Sequence, residues 1–285
     1  MGDITRWQVG NVRISKVPEI EMHWPFKALL PEVTPELLEA TPWMRPHFMD
    51  EAGKMVLSIH ALVVESQGQT IVVDTCIGND KVRPTRPFNQ LSTNFLDVLA
   101  QAGFAPEAVD TVFCTHMHVD HVGWNTKLVD GRWVPTFERA RHLFARTEYD
   151  YWIANPDLDV FGDVMGDSVV PIVDAGLADF IEVDHAITDE VWLESTPGHT
   201  PGHCSVHISS QGQEAVITGD MTHSPIQFAY PLNCTADADT AQANETRAAF
   251  VSRYADTPTL IIGTHFAGPT AGHLVRDGEA WRFAV

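Results

Sequence analysis

Stretches of apolar residues recur along the chain, some continuous and some alternating with polar residues, and they predict β-strands. A strand buried on both faces reads as a continuous apolar run, whereas a half-buried strand alternates. The predicted strands cover residues 7–16, 57–66, 70–75, 112–113, 191–194, 205–209, 215–218 and, as the last one, 259–262. The second half of the chain therefore repeats the style of the first.

Two segments between these strands show the pattern of helices. Residues 91–102 repeat apolar positions at helical spacing. Asp239, followed three residues later by Gln242, resembles a capping box that starts a helix ending near Tyr254. Because strands and helices interleave, the pattern predicts layered α/β structure, which we expect to form a single domain over residues 1–285.

The composition restricts what such a fold binds. The 285 residues include 38 acidic and 18 basic side chains, for a net charge of −20. This balance argues against nucleic acid and anionic membranes as partners, because both require a basic surface. No apolar run approaches the roughly 18 residues of a membrane span, and the first residues lack the pattern of a signal peptide. We therefore expect a cytoplasmic protein.

A dense group of histidines and aspartates follows one of the predicted strands. Residues 116–121 read H-M-H-V-D-H, which places three imidazoles and a carboxylate within six positions. In an extended segment His116 and His118 point to the same side, and a turn after them can bring Asp120 and His121 alongside. Neutral imidazole and carboxylate are typical ligands of Zn²⁺ and related divalent ions.

Three further residues of the same chemical types each follow a later predicted strand: His199, Asp220 and His265. Loops at strand ends are where a rigid scaffold presents reactive groups. Together with the first group they supply seven ligands, enough for two metal ions per chain. Zn²⁺ is the default, and Mn²⁺, Co²⁺ or Fe²⁺ suits the same donors.

The order and spacing of these seven residues resemble the ligand set of the metallo-β-lactamase fold superfamily. The resemblance extends from Asp74 to His265 and implies a four-layer αββα sandwich, with the metals at one edge between two sheets. It also implies one ion bound by His116, His118 and His199, a second bound by Asp120, His121 and His265, and Asp220 as the bridge between them.

The same resemblance suggests roles for two carboxylates. Asp120 is placed to orient a hydroxide shared by the two metals and then to pass a proton to the leaving group. Asp74 matches a position that supports the metal loop, where its carboxylate can accept the free N–H of a ligand histidine.

Several branches of this superfamily fit the sequence poorly. Members that reduce oxygen or nitric oxide with iron usually carry Glu at the position of His118 and add a flavin domain. True β-lactamases of this fold generally lack the bridging aspartate, and the ribonuclease branch needs an inserted domain. The group that remains contains lactonases, aryl esterases and phosphotriesterases. Residues 121–125, the long N-terminal lead at 20–56 and the ending at 264–273 resemble it.

His223 is the clearest departure from the lactonase pattern. N-acyl-homoserine lactonases often carry Tyr three residues after the bridging aspartate, whereas His at this place is similar to methyl parathion hydrolase and its relatives. The difference weighs against a homoserine lactone as substrate. His223 can still hydrogen-bond a carbonyl or phosphoryl oxygen and stabilise developing charge.

The N-terminal lead, residues 1–56, contains an apolar, aromatic segment at 23–31 that prolines prevent from forming a long helix. It is compatible with a loop that caps the pocket through Trp24 and Phe26, and equally with packing against the body or a homodimer contact. A capping loop of this kind favours an apolar ester or lactone. Trp124 and Trp152 are weaker candidates for the pocket wall.

The sequence thus favours a binuclear metal-dependent hydrolase that cleaves a lactone or carboxylic ester, a small-molecule substrate, through a metal-bridging hydroxide. A phosphotriesterase with the same site is the alternative. Two further hypotheses are a mononuclear iron oxygenase acting on persulfides, which leaves Asp120, His121 and His265 idle, and a non-catalytic binding protein. Such binding proteins tend to lose ligands, and none of the seven is missing.

Overall fold

The computed structural model describes residues 4–285. Within this range the strands are β1 (Thr5–Val9), β2 (Val12–Trp24), β3 (Met55–Ser66), β4 (Gln69–Val73), β5 (Thr111–Phe113), β6 (Thr126–Val129), β7 (Arg132–Pro135), β8 (Arg141–Ala145), β9 (Ala178–Ile181), β10 (Ala186–Thr188), β11 (Val191–Ser195), β12 (Cys204–Ser210), β13 (Gln213–Ile217), β14 (Leu260–Ile262), β15 (Ala271–Asp277) and β16 (Ala280–Ala284). The α-helices are α1 (Pro35–Ala40), α2 (Phe95–Gln101), α3 (Arg146–Ala154), α4 (Val170–Asp174), α5 (Ile226–Ala229) and α6 (Thr240–Tyr254).

The strands form two seven-stranded sheets and a separate hairpin. The first sheet has the order β1-β2-β3-β4-β5-β8-β9, and the second has the order β10 to β16. Strands β4, β5, β8 and β9 pair in parallel, as do β13 and β14, while the other neighbours in the two sheets are antiparallel. Strands β6 and β7 pair only with each other.

Three apolar clusters separate four layers. The middle cluster joins the two sheets, for example through Leu62 and Val64 of β3 on one side and Val206 of β12 on the other. Ala61 and Val63 of the same strand β3 face an outer cluster that includes residues of α2, α3 and α4. A third cluster packs α5, α6 and the part of the N-terminal lead at residues 26–49 on the outer face of the second sheet. This arrangement confirms the predicted αββα sandwich.

Burial on both faces explains why β3 and β4 are recognisable as continuous apolar runs. The predicted strands near residues 57–66, 70–75, 191–194, 205–209 and 215–218 are all present, with small shifts at their ends. The predicted cap is also confirmed, because the Asp239 side chain accepts a hydrogen bond from the backbone N of Gln242, 3.0 Å away.

Two predictions about strands are wrong. The stretch predicted as one strand at 7–16 is a hairpin that turns at Gly10 and Asn11, and its second strand, β2, continues to Trp24. The strand at 259–262 is not the last, because β15 and β16 follow it. Those two strands alternate only weakly, and their fully buried anchors are Leu274 and Phe283.

The predicted helix at 91–102 is confirmed in its second part only, since α2 begins at Phe95. Residues before it are held in a loop by Asn79. The Asn79 side chain accepts a hydrogen bond from the backbone N of Thr93 and donates one to its backbone O, at 2.7 and 2.9 Å. None of the helices in residues 4–285 is long and apolar enough to cross a bilayer.

Candidate metal centre

Five of the loops that leave strand ends meet at one end of the space between the two sheets. Asp74 follows β4, and the segment at 116–121 follows β5. His199, Asp220 and His265 follow β11, β13 and β14. The structure therefore brings together all seven residues that the sequence predicts as ligands.

The first group of ligand-type residues contains three histidines and one aspartate, whose ligand atoms all lie within 4.8 Å of one another: His116, His118, His199 and Asp220. Nδ1 of His118 is 3.0 Å from Nε2 of His116 and 2.9 Å from Nε2 of His199. Lone pairs that converge this closely require a proton or a cation between them, and neutral imidazole nitrogens are common metal ligands.

The second group contains Asp120, His121 and His265, whose ligand atoms also lie within 4.8 Å of one another. Oδ2 of Asp220 is 3.2 Å from Nε2 of His121 and 3.1 Å from Nε2 of His265. The same oxygen lies 3.6 Å from Nε2 of His199 in the first group. Asp220 thus occupies the position between the two groups.

Three of the ligand histidines have an oxygen atom close to the nitrogen that faces away from the centre. Nδ1 of His199 is 3.1 Å from the carboxylate of Asp237, and Nδ1 of His265 is 3.3 Å from the backbone O of Ser58. Nδ1 of His121 is 3.0 Å from Oδ2 of Asp74, an ion-pair distance without the geometry of a hydrogen bond. The acceptors at Nδ1 of His199 and His265 keep the proton on that nitrogen and leave the lone pair of Nε2 directed at the centre.

Asp74 also fixes the start of the first histidine loop. Its Oδ1 accepts a hydrogen bond from the backbone N of Thr115, 2.8 Å away. The carboxylate therefore contacts the residue before His116 as well as His121, as expected for a residue that supports the metal loop. Asp74 itself adopts a left-handed backbone, with φ of 59°, a conformation that most residues avoid and Asp tolerates better.

Electrostatics favour neutral histidines in the first group. Burial is the main cause that holds the pKa of His116, His118 and His199 well below the ordinary value. Because metal binding requires an unprotonated imidazole, these three side chains are ready to bind a cation without first losing a proton.

Around the second group the balance is reversed. Burial lowers the pKa of His121, but the carboxylates of Asp220, Asp74 and Asp120 outweigh it and raise this pKa well above its ordinary value. Burial likewise opposes ionisation of Asp220, yet His121 and His265 together with a further histidine hold its pKa well below its usual range. Three carboxylates around one imidazole create a site that attracts positive charge.

Nε2 of His121 and Oδ1 of Asp220, which are both buried and face the centre, make no hydrogen bond within residues 4–285. Buried polar atoms normally have a partner, so each such exception calls for one. A divalent cation bound by imidazole and carboxylate would supply it. The donor set, its tautomers and these orphaned atoms all fit metal ions at both groups.

A cavity of about 60 Å³ opens directly over the centre, with His118, Asp120, His199, Asp220, His223 and His265 in its wall. His223 lies 3.2 Å by Nε2 from Oδ2 of Asp220 and stacks on His265, with ring centroids 5.6 Å apart. His116 and His121 lie beneath the cavity with no exposed surface. The structure therefore places His223 beside the ligands.

A wider cavity of about 600 Å³ adjoins the first, and the two share Trp24, Leu29 and Phe161 among their wall residues. Trp24, predicted as a wall residue, thus lies at the junction, and Trp152 lines the wider cavity. These walls contain a large share of apolar side chains.

Two other predicted wall residues lie elsewhere. Phe26 is buried in the cluster on the outer face of the second sheet. Trp124 is buried beneath the metal loop, where it stacks on Phe95 at 5.8 Å and donates from Nε1 to Glu19 at 2.7 Å. Neither side chain lines the two cavities, because each has enough apolar neighbours to be packed into a core.

A model of the metallo-beta-lactamase superfamily matches residues 55–275 of the chain. This range includes all seven ligand-type residues and most strands of both sheets. The chain belongs to the metallo-beta-lactamase superfamily. The mixed helix and sheet content and the position of the histidine-rich loops agree with that membership.

Two N-acyl homoserine lactonases are similar to part of the chain. The N-acyl homoserine lactonase AiiA of Bacillus thuringiensis subsp. kurstaki is 24% identical over 190 residues, which are 62% of this chain and 69% of that protein. An N-acyl homoserine lactonase of Bacillus cereus is 25% identical over 132 residues, 46% of each chain.

Two solved structures also superpose on the chain. The hydrolase AbOPH matches with a TM-score of 0.82 and 24% identity, covering 100% of this chain and 97% of the other. AidC, a dizinc quorum-quenching lactonase in complex with a product, matches with a TM-score of 0.75 and 20% identity, covering 98% and 96%. At such identities these likenesses show a shared fold.

Sequence reasoning missed two residues that support this superfamily site. His203 accepts a hydrogen bond at Nε2 from the backbone N of Asp220, 2.8 Å away, and burial lowers its pKa to about 4. Its place four residues after His199 was the only signal in the sequence. Asp237, the partner of His199, lies in a loop with no recognisable pattern, so no local signal identifies it.

Proposed function

We propose that the protein is a binuclear metal-dependent hydrolase that cleaves a lactone or carboxylic ester. The observation that carries this proposal is the placement of Asp220 between two groups of ligand atoms, directly under a cavity. Within each group the ligand atoms lie within 4.8 Å of one another. A single-ion site would need only the first group, whereas here the ligand atoms of the second group converge as closely as those of the first.

Two divalent ions, when bound there, would polarise the substrate carbonyl and make a water molecule acidic near neutral pH. The protein supplies the remaining functions. Asp120 is the most exposed of the site's carboxylates, with 15% of its side chain accessible, and it faces the cavity. It is therefore placed to orient the attacking water and to return a proton to the leaving oxygen.

His223 is the side chain best placed to stabilise charge that develops on the substrate. Its ring lines the cavity, and its Nε2 points at the centre. On the far side, Nδ1 lies 3.6 Å from Sγ of the buried Cys234. A donor fixed in this orientation can hydrogen-bond an oxyanion without reorganising during the reaction.

The two adjoining cavities indicate the kind of substrate. The small one accommodates only the reacting group, whereas about 600 Å³ is within the range of pockets that hold a whole small molecule. Trp24, Leu29 and Phe161 at the junction favour an apolar substituent next to the scissile bond. The lactonase activity named for relatives at 24% identity supports a lactone in particular.

A phosphotriesterase is the second candidate, and His223 is the observation that favours it. A histidine donor over the centre serves a phosphoryl oxygen as well as a carbonyl oxygen. The same ligands and the same cavity would serve both reactions. Which substrate class fits the shape of the pocket therefore decides between the two candidates.

The experiment that separates the candidates compares initial rates with N-acyl homoserine lactones, simple lactones, aryl esters and aryl phosphotriesters, using the zinc-loaded protein. We expect kcat/KM to be highest for a lactone or carboxylic ester with an apolar substituent. Higher values for the phosphotriesters would favour the second candidate. Absence of hydrolysis of all four classes, with both metals bound, would refute the proposal.

A further inference from the structure

A buried carboxylate outside the ligand set connects the two loops that carry the three-histidine group. We infer that Glu148 is a positioning residue that holds these loops, and hence the first group, in register. The inference rests on the proposed ligand set, although not on any particular substrate. Glu148 belongs to α3, and 1% of its surface is exposed.

The carboxylate of Glu148 accepts hydrogen bonds from three different segments. Oε1 lies 3.1 Å from the backbone N of Met117 and 2.7 Å from Nε1 of Trp152. Oε2 lies 3.0 Å from the backbone N of Gly202. All three partners are N–H donors, so a carboxylate satisfies every one of them, whereas an apolar side chain would leave buried donors unpaired.

Each backbone contact lies close to a ligand. Met117 stands between His116 and His118, so a shift of its backbone moves both side chains. Gly202 lies three residues after His199 in the same tight loop. Glu148 therefore links the loop after β5 to the loop after β11, which otherwise belong to different sheets.

Two further contacts show that α3 packs tightly against both loops. A Cβ atom on Gly202 would lie only 2.4 Å from the backbone N of Glu148, so the loop packs directly against α3. The ring of Trp152, held by Glu148, packs edge-on against His118 with centroids 5.4 Å apart. The same carboxylate thus restrains His118 in two ways, through the backbone of the preceding Met117 and through the ring of Trp152.

A Glu148→Gln substitution tests this inference because it preserves size and removes one acceptor. The amide can accept from Trp152 and Met117, but its NH₂ group then faces the N–H of Gly202. We expect the affinity for Co²⁺, measured by competition with a chelating dye, to fall by about 10- to 100-fold, as is usual when a supporting partner of a metal ligand is lost. The visible absorption of the Co²⁺-loaded protein should change as well.

Glu19→Gln is the matched control, since Glu19 is also a buried carboxylate that accepts from a tryptophan, Trp124, but it accepts no hydrogen bond from Met117 or Gly202. It should retain the wild-type Co²⁺ affinity within about threefold. Equal losses in both variants would overturn the inference, because they would show a general effect of removing a buried charge. A folded Glu148→Gln protein with unchanged affinity and spectrum would overturn it too.

If Glu148→Gln does not fold, Trp152→Phe decides the question. It keeps the ring against His118 and removes one donor from Glu148, and we expect a severalfold lower Co²⁺ affinity. Wild-type affinity in this variant would contradict the positioning role. Metal affinity is measured without substrate, so a failure to hydrolyse lactones would challenge the proposed function and leave this inference intact.

Discussion

Nδ1 of His199 lies 3.1 Å from Oδ1 of Asp237, and neither side chain has any exposed surface. The other carboxylate oxygen of Asp237 accepts a hydrogen bond from Arg247, 3.0 Å away. The aspartate is thus held on one side by a cation while it orients the imidazole on the other. These contacts connect Arg247 of α6 to the metal centre through Asp237.

An Asp237→Asn substitution should weaken metal binding without unfolding the protein. An amide has one acceptor and one donor group, so either His199 or Arg247 must face the wrong partner. We expect metal affinity to fall by about 10- to 100-fold, measured by equilibrium competition with a chelator.

Asp239→Asn provides the control for that experiment. It makes the same change two residues away, at the N-cap of α6, where Asn caps about as well as Asp. Wild-type metal affinity in Asp237→Asn, or an equal loss in Asp239→Asn, would show that the contact with His199 does not orient the ligand.

Trp24 should determine how strongly the enzyme prefers long apolar substituents. Its ring stacks on Phe88, with centroids 5.9 Å apart, and lines both cavities. Each methylene buried there is worth about 0.8 kcal/mol, or about fourfold in kcat/KM. In Trp24→Ala we expect this gain per methylene to fall to about twofold, while the shortest substrate is affected least.

The matched control is Trp281→Ala, which removes an equal side chain from β16, outside the two cavities over the centre. It should leave the dependence on chain length unchanged. A dependence that is the same in Trp24→Ala as in the wild type would exclude Trp24 from the part of the wall that contacts the substituent.

His142 predicts a pH dependence of stability that does not involve the metal centre. It is fully buried in β8, with the rings of Phe137 and Phe144 each 6.4 Å away, and burial lowers its pKa to about 4. Because the unfolded chain binds a proton near pH 6.5 and the folded chain does not, stability is lost as the pH falls from about 6.5 towards 4.

His142→Leu should remove this contribution. We compare the free energy of unfolding of variant and wild type by urea denaturation. As the pH falls from 7 to 4.5, the wild type should lose about 2–3 kcal/mol more stability than the variant. The other histidines titrate in both proteins and cancel in the comparison. Parallel pH profiles would show that His142 is not held neutral by the fold.

The ligand set could be predicted from the sequence because each ligand follows an apolar strand at a short, regular distance. His116 and His118 illustrate this, since a buried strand directly precedes them and their spacing puts them on one side. The αββα layers were predictable for a related reason, namely that strands such as β3 and β4 are buried on both faces and read as continuous apolar runs.

The supporting residues could not be predicted in the same way. Asp237 and Glu148 act through contacts between segments far apart in the chain, and an isolated acidic residue in a loop or helix is usually exposed. Phe26 and Trp124 were predicted to line the pocket but are buried in cores instead. An aromatic residue near the site can be packed into a core, and only the three-dimensional arrangement distinguishes it from Trp24.

The central claim is that Asp220 joins two groups of ligands into one binuclear centre. Metal analysis of the purified, folded chain beside His199→Ala and His265→Ala, one variant for each group, tests it most directly. We predict about two divalent ions per wild-type chain and about one fewer in each variant, with the fold retained. One iron per wild-type chain, unchanged in His265→Ala, would contradict the account.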